Sequence, residues 1–186
     1  MQRSHSRRIA LIVAFATGLQ AGAVSVVAVG VSAAQIEVYY APEDLPGDRL
    51  VTLYERATKH VYVAMYSITY PPAVKALITA KKRGVDVRVI TDRSRVSDRR
   101  QGTALETLHL AGVPIRINQH DALMHLKQVV IDDDVTVSGS MNQTTSGNRY
   151  NDERLDIITD AELTTQARNK FLEMWEDRER FANWKE

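Results

Sequence analysis

Two hydrophobic periods alternate along this chain, one of about two residues and one of about 3.6. Ile36-Glu37-Val38-Tyr39-Tyr40 follows the first and predicts a strand. Pro46 and Gly47 break it, after which Leu50, Leu53, Tyr54 and Ala57 recur at helical spacing. Residues 61–68 are β-branched and aromatic, as a strand buried on both faces requires. Pro71 and Pro72 open a helix striped by Val74, Leu77 and Ile78, with Lys81, Lys82 and Arg83 in its last turn and Gly84 beyond it. Residues 85–91 read as the next strand and 92–101 as an exposed charged loop. Leu105, Leu108 and Leu110 mark a helix that Gly112 closes, followed by a short strand over 113–117. A hairpin pairs 125–131 with 135–138 about the turn Asp132-Asp133-Asp134. Residues 141–151 read as a polar loop and 155–158 as a last strand. A closing helix over 161–181 puts Leu163, Ala167, Phe171, Met174 and Trp175 on one side, with Trp175 and Trp184 as packing residues. Strands alternating with helices predict one layered α/β domain over residues 35–186.

The N-terminus departs from this pattern. Arg3, Arg7 and Arg8 precede an uncharged, largely apolar run over residues 9–34. A basic start before such a run predicts either a cleaved export signal over 1–34 or a membrane anchor. The expected location is therefore periplasmic or secreted, with membrane contact through residues 9–34 if the segment is retained. Loss of 1–34 removes three of 24 basic residues and none of 23 acids, leaving 21 against 23 and a formal charge of −2. The domain as a whole is then no general polyanion binder. Charge is uneven, however: nine Lys and Arg lie between Lys75 and Arg100, against Asp86, Asp92 and Asp98. That stretch suits a polyanion or, equally, a solvated helix face and loop. The chain has no cysteine, which excludes thiol nucleophiles, disulfides and thiolate zinc sites.

Candidate chemistry concentrates in Met124-His-Leu-Lys-Gln-Val-Val-Ile-Asp132 and Gly139-Ser-Met-Asn142. On a strand, residues two apart share a face, so His125 and Lys127 project together. Two like charges side by side add no stability, but the pair suits a bound anion. Lys127 can neutralise a phosphoryl oxygen while His125 attacks phosphorus. Ser140 and Asn142 can donate to the other phosphate oxygens. Glu153 can fix the imidazole tautomer from beyond the polar loop. Asp132 is a candidate either for chemistry or for holding its turn. An aspartate-rich turn also admits a metal site, although a plain hairpin turn is the commoner use of such a sequence. His120 and Asp121 precede the strand and fit a site entrance or a plain loop, and Tyr66 and Ser67 fit a pocket edge or core.

At these residues the chain resembles the phospholipase D superfamily, whose signature is His-x-Lys-x(4)-Asp followed by Gly-Ser/Gly-x-x-Asn or a close relative. Here it reads His125-Leu-Lys127-Gln-Val-Val-Ile-Asp132, then Gly139-Ser140-Met-Asn142. Met65-Tyr-Ser-Ile68, residues 80–87, Asn151-Asp-Glu153 and Phe171-Leu-Glu-Met-Trp175 resemble the short secreted bacterial endonucleases of that superfamily. Leu126 departs from the polar residue that many members carry. The resemblance implies an α/β/α sandwich with a central mixed β-sheet and a catalytic set of His125, Lys127, Asp132 and Glu153. It implies phosphate binding by Lys127, Ser140 and Asn142, and neither cofactor nor metal. In those relatives the glutamate matching Glu153 hydrogen-bonds the histidine. The chemistry needs two histidines, a nucleophile and a general acid. His5, His60, His109 and His120 lack a lysine two residues on, so the resemblance implies a homodimer that pairs two copies of His125. Three functions follow: an endonuclease acting on nucleic acid, a phospholipase acting on a lipid headgroup ester, and an inactive polyanion-binding module. With no evident lipid-binding insertion, nucleic acid ranks above phospholipid.

Overall fold

The structure, a computed structural model, describes residues 33–185. Residues 1–32 of the expected signal or anchor lie outside them. No helix among the described residues is long and apolar enough to cross a membrane. Eight strands form one sheet: β1 (Gln35–Ala41), β2 (His60–Met65), β3 (Asp86–Thr91), β4 (Ile115–Asn118), β5 (Lys127–Ile131), β6 (Val135–Gly139), β7 (Glu153–Thr159) and β8 (Phe181–Asn183). Their order is β1-β7-β6-β5-β2-β3-β4-β8. Only β2, β3 and β4 run parallel to one another, and every other pairing is antiparallel.

Alternation along β2 builds both layers. Val61, Val63 and Met65 face one side and meet α1 (Pro46–Arg56), α2 (Pro71–Lys82) and α3 (Arg99–Leu110) through Leu50, Tyr54, Leu77, Leu105 and Leu108. Tyr62 and Ala64 face the other side and meet Phe171, Met174 and Trp175 of α5 (Ala161–Glu176). Phe171 is fully buried and stacks on Tyr62 at 4.9 Å. Truncating such a ring costs about 3–5 kcal/mol. The fold is the α/β/α sandwich with a mixed central sheet that the sequence predicts.

Several boundaries differ, each for a local reason. The charged stretch 92–101 is largely ordered: a 3₁₀ turn spans Arg93–Arg95, and α3 begins at Arg99 because Asp98 accepts from the N–H groups of Arg100 and Gln101. The polar stretch 141–151 contains α4 (Thr145–Arg149), which Thr144 caps through the Gly147 N–H. The closing helix stops at Glu176 rather than running to 181. Asp177 accepts from the N–H groups of Glu179 and Arg180 and turns the chain, so that Phe181–Asn183 adds to the open edge of β4. Trp184 therefore follows a strand, packed against the α1–α3 layer, and is not on the helix. Leu110 and Leu163, expected on buried stripes, are exposed at helix ends.

Candidate active site

Strands β2 and β3 end at one edge of the sheet, and the helices that follow them start there. In open sheets with parallel strands, that carboxyl edge is where sites form. Strand β5 begins at the same edge, with Lys127 opposite Met65. It starts two residues later than expected, so His125 lies on the approach to the strand. The loop before it is tied from two strands. Asp92, fully buried after β3, accepts from the Met124 N–H at 2.6 Å and from Ser94. Asn118 at the end of β4 accepts from the Arg93 N–H and donates to the Ala122 carbonyl, each at 2.8 Å. These bonds set the residue immediately before His125, which leaves the imidazole exposed.

Lys127 still meets His125. Its Nζ stands 2.9 Å from both ring nitrogens and donates to the His125 carbonyl at 3.0 Å. An ammonium only donates, so it can bond only the ring nitrogen that carries a lone pair, and the tautomer decides which of the two that is. The Tyr66 ring lies 4.7 Å from the imidazole, and the Lys127 ammonium sits 5.3 Å from that ring's centre. Burial lowers the Lys127 pKa from its ordinary value, and the Glu153 carboxylate opposes that shift. Lys127 is thus a largely buried cation with no paired carboxylate among the described residues, at a rim where an anion can complete its shell.

Beyond β6 the chain crosses β7 closely. A Cβ at Gly139 would lie 2.1 Å from the Arg154 carbonyl oxygen, so only glycine fits. Ser140 then pairs with β7. Its backbone N–H donates to the Arg154 carbonyl, its hydroxyl accepts from the Arg154 N–H at 3.1 Å, and the hydroxyl donates to Glu153. The other Glu153 oxygen accepts from Asn151 at 3.1 Å. Glu153 is therefore held by Ser140 and Asn151 within the chain, and no bond from it to His125 occurs among the described residues. Among the described residues the buried side-chain oxygen of Asn142 has no partner, and its amide NH2 is the group able to donate to a phosphate oxygen.

His125, Lys127, Ser140, Asn142 and Glu153 thus gather at one edge. Asp132 does not join them. It sits at the far end of β5, five residues from Lys127 or about 16 Å along a strand. There its carboxylate accepts from the N–H groups of Thr58, Lys59 and His60 and from the Thr58 hydroxyl. Burial pushes its pKa up, but these donors outweigh it and the net shift is downward. Asp132, expected in the catalytic set, ties the β5–β6 turn to the start of β2 in this structure, away from His125 and Lys127. Asp133, in the same turn, pairs with Lys59 at 2.5 Å and with Arg168 at 2.7 Å. His120 packs edge-on against Phe181, and Asp121 meets Arg93 at 3.6 Å, so both belong to the loop.

Sequence reasoning missed the supports. Gln101, placed in an exposed loop, is fully buried. It accepts from the Ile68 N–H and the Ser67 hydroxyl and donates to Thr91, whose hydroxyl reaches the Tyr66 carbonyl. It holds the segment that carries Tyr66. Asp92 was legible only as a carboxylate ending an apolar strand, a weak signal.

The family profile described as "Cardiolipin synthase, PLD-like domain" matches residues 50–175. The chain belongs to the phospholipase D superfamily. A mitochondrial cardiolipin hydrolase of Xenopus tropicalis is 30% identical over 129 residues, which are 69% of this chain and 60% of that protein. A phospholipase D of Rickettsia felis is 31% identical over 124 residues, 67% of this chain and 59% of that one. The chain thus spans about 60% of the length of these curated relatives. Among solved structures, Nuc of Salmonella typhimurium, a phospholipase D family member, superposes with a TM-score of 0.76 at 24% identity, over 83% of this chain and all of that one. NucT of Helicobacter pylori gives 0.69 at 21% identity, over 77% of this chain and 97% of its own. Both likenesses are of fold. Within the superfamily signature, this structure separates the histidine and lysine at the open edge from an aspartate that braces the opposite one.

Proposed function

We propose that the protein is a phosphodiesterase that cleaves nucleic acid through covalent catalysis at His125, as a homodimer. The observation that carries this reading is the exposed imidazole of His125 set 2.9 Å from the largely buried ammonium of Lys127, at the carboxyl edge of the sheet. A ring nitrogen of His125 attacks phosphorus. A P–N bond forms, the P–O bond to the leaving group breaks, and His125 of a second copy gives that oxygen its proton. Water then attacks phosphorus, its proton passes to the second imidazole, and the P–N bond breaks to release a phosphomonoester. Lys127 and Asn142 stabilise the charge on the non-bridging oxygens. Ser140 and Glu153 hold each other beside them.

The second copy is required because, among the described residues, one chain offers a single histidine at this edge, and an acid must stand opposite the nucleophile. The run over residues 9–34 is read as an export signal or anchor that places the enzyme outside the cytoplasm or at a membrane. Phospholipid is the second reading, favoured by relatives named cardiolipin hydrolase and phospholipase D. The deciding experiment assays DNA, RNA and phospholipid vesicles in EDTA, with His125→Asn as control. Release of nucleotides by wild type alone supports nuclease activity. Headgroup release with intact nucleic acid transfers the assignment to lipid, and undiminished turnover by the variant overturns the mechanism.

A further inference from the structure

A groove of about 1040 Å³ lies between α2 and α3. It begins beside the candidate active site. Thr69 lines one end, and its N–H donates to the carbonyl of Gln143, the residue after Asn142; Thr144 lines the same end. From there the groove runs back along both helices. Its floor is apolar, from Val74, Ile78 and Ala104. Its rims carry Lys75 and Lys82 from α2 and Arg99 and Arg100 from α3, all exposed, and no carboxylate lines it. Lys75, Lys82 and Arg99 form no ion pair among the described residues. Lys75 and Lys82 are seven residues apart, about 10 Å along the axis. Thr79 stands between them, and Thr103 and Thr107 continue the opposite rim. Tyr150, 74% exposed, stands at the lining with its ring available.

Cations along two rims, an apolar floor and an aromatic ring make the combination that holds a sugar-phosphate backbone while unstacked bases lie on apolar surface; the Thr79, Thr103 and Thr107 hydroxyls donate to carbonyls of their own helices. We infer that the α2–α3 groove is an exosite for the single-stranded continuation of a nucleic-acid substrate whose scissile phosphate sits at His125. The inference rests on the nuclease reading and adds strand preference to it. The cations of the groove attract the strand and bind its phosphates, and Tyr150 stacks one base.

The test compares wild type with the triple variant Lys75→Ser, Lys82→Ser, Arg99→Ser and with Tyr150→Ala, melting temperature being followed for each. Substrates are a single-stranded 20-mer, the same sequence as duplex, and bis(p-nitrophenyl) phosphate, which is too small to reach the groove. The triple variant is expected to raise KM for the single strand at least about tenfold and to lower the slope of log KM against log salt by about two, from ~0.7 for each phosphate no longer neutralised. Turnover of the small diester stays unchanged. Tyr150→Ala raises the single-strand KM with no change in slope. Lys75→Glu alone, at an exposed position, gives the same direction if the triple variant does not fold. Unchanged single-strand KM and slope in a variant whose wild type cuts single strands overturns the exosite and leaves the nuclease reading intact. Equal losses on duplex and small diester also overturn it. A loss seen on phosphatidylglycerol vesicles and not on oligonucleotides assigns the groove to lipid instead. A wild type that turns over the small diester and no oligonucleotide removes the nuclease reading and the exosite together.

Discussion

The two ends of β5 share one sequence signature and use it in opposite ways. At the start, His125 is exposed, and among the described residues Lys127 faces it without a carboxylate partner and nearby Asn142 keeps a buried oxygen unsatisfied. At the far end, Asp132 accepts from four donors supplied by Thr58, Lys59 and His60. One end leaves polar capacity open for a substrate. The other uses it to close a turn. Their separation along one strand keeps the open end rigid: the saturated turn anchors β5 to β2, and Lys127 pairs opposite Met65 of that same strand.

Substitutions at the two ends should therefore fail differently. His125→Asn should lower turnover by at least about 10³-fold, within the range of a lost acid–base group, while its melting curve stays within about 0.5 kcal/mol of wild type. Steady-state rates paired with thermal melts check both halves, and a large loss of stability would erase the contrast. Gly139→Ala sharpens the open end. The new Cβ must push the Arg154 carbonyl away and with it the Ser140–Glu153 pair, costing about 10²-fold in activity through misplacement. Chemical rescue is not expected, and kcat should fall more than KM rises.

Asp132→Ala should reverse the pattern, with about 2–3 kcal/mol lost in urea denaturation and a normal kcat wherever the variant stays folded. Its pH signature follows from sign. The folded carboxyl is held below its ordinary value, so its stabilisation is present above the unfolded pKa of about 3.9 and disappears as pH falls through the lower folded value. Wild type and Asp132→Asn should converge in stability toward the acid limb. The smallest effect belongs to His60, whose ring is stacked on Tyr62 at 4.7 Å with Nε2 unpartnered. Burial lowers its pKa from 6.5, against the raising influence of Asp133 and Asp132. Its neutral form is favoured on folding, so stability should decline as pH drops below about 6.5. His60→Gln should flatten that part of the profile by less than about 1 kcal/mol, read from melts between pH 7 and 5.

How much was legible differs between elements. Residues 61–65 carry apolar side chains in both registers, and Val87, Val89 and Ile90 keep 86–91 largely apolar despite Asp86 and Arg88, so the burial of both strands was readable from period and composition. Ser140 and Glu153 were readable as site residues, but not as partners of each other, because a loop and the short helix α4 separate them in the chain. Phe181 was placed at the end of the closing helix. Its strand pairing depends on the free edge of β4, which no local pattern reveals.

Local order of side chains determined the layered α/β class and the closeness of His125 and Lys127. Those follow from periods of two and 3.6 and from a two-residue spacing, which the chain carries within itself. Only the tertiary structure decided that Asp132 braces a turn, that Asp92 and Gln101 hold the site's loops, and that α2 and α3 enclose a cation-rimmed groove. Each of these depends on hydrogen bonds or packing between segments distant in sequence, whose geometry exists only once the sheet has closed around its core.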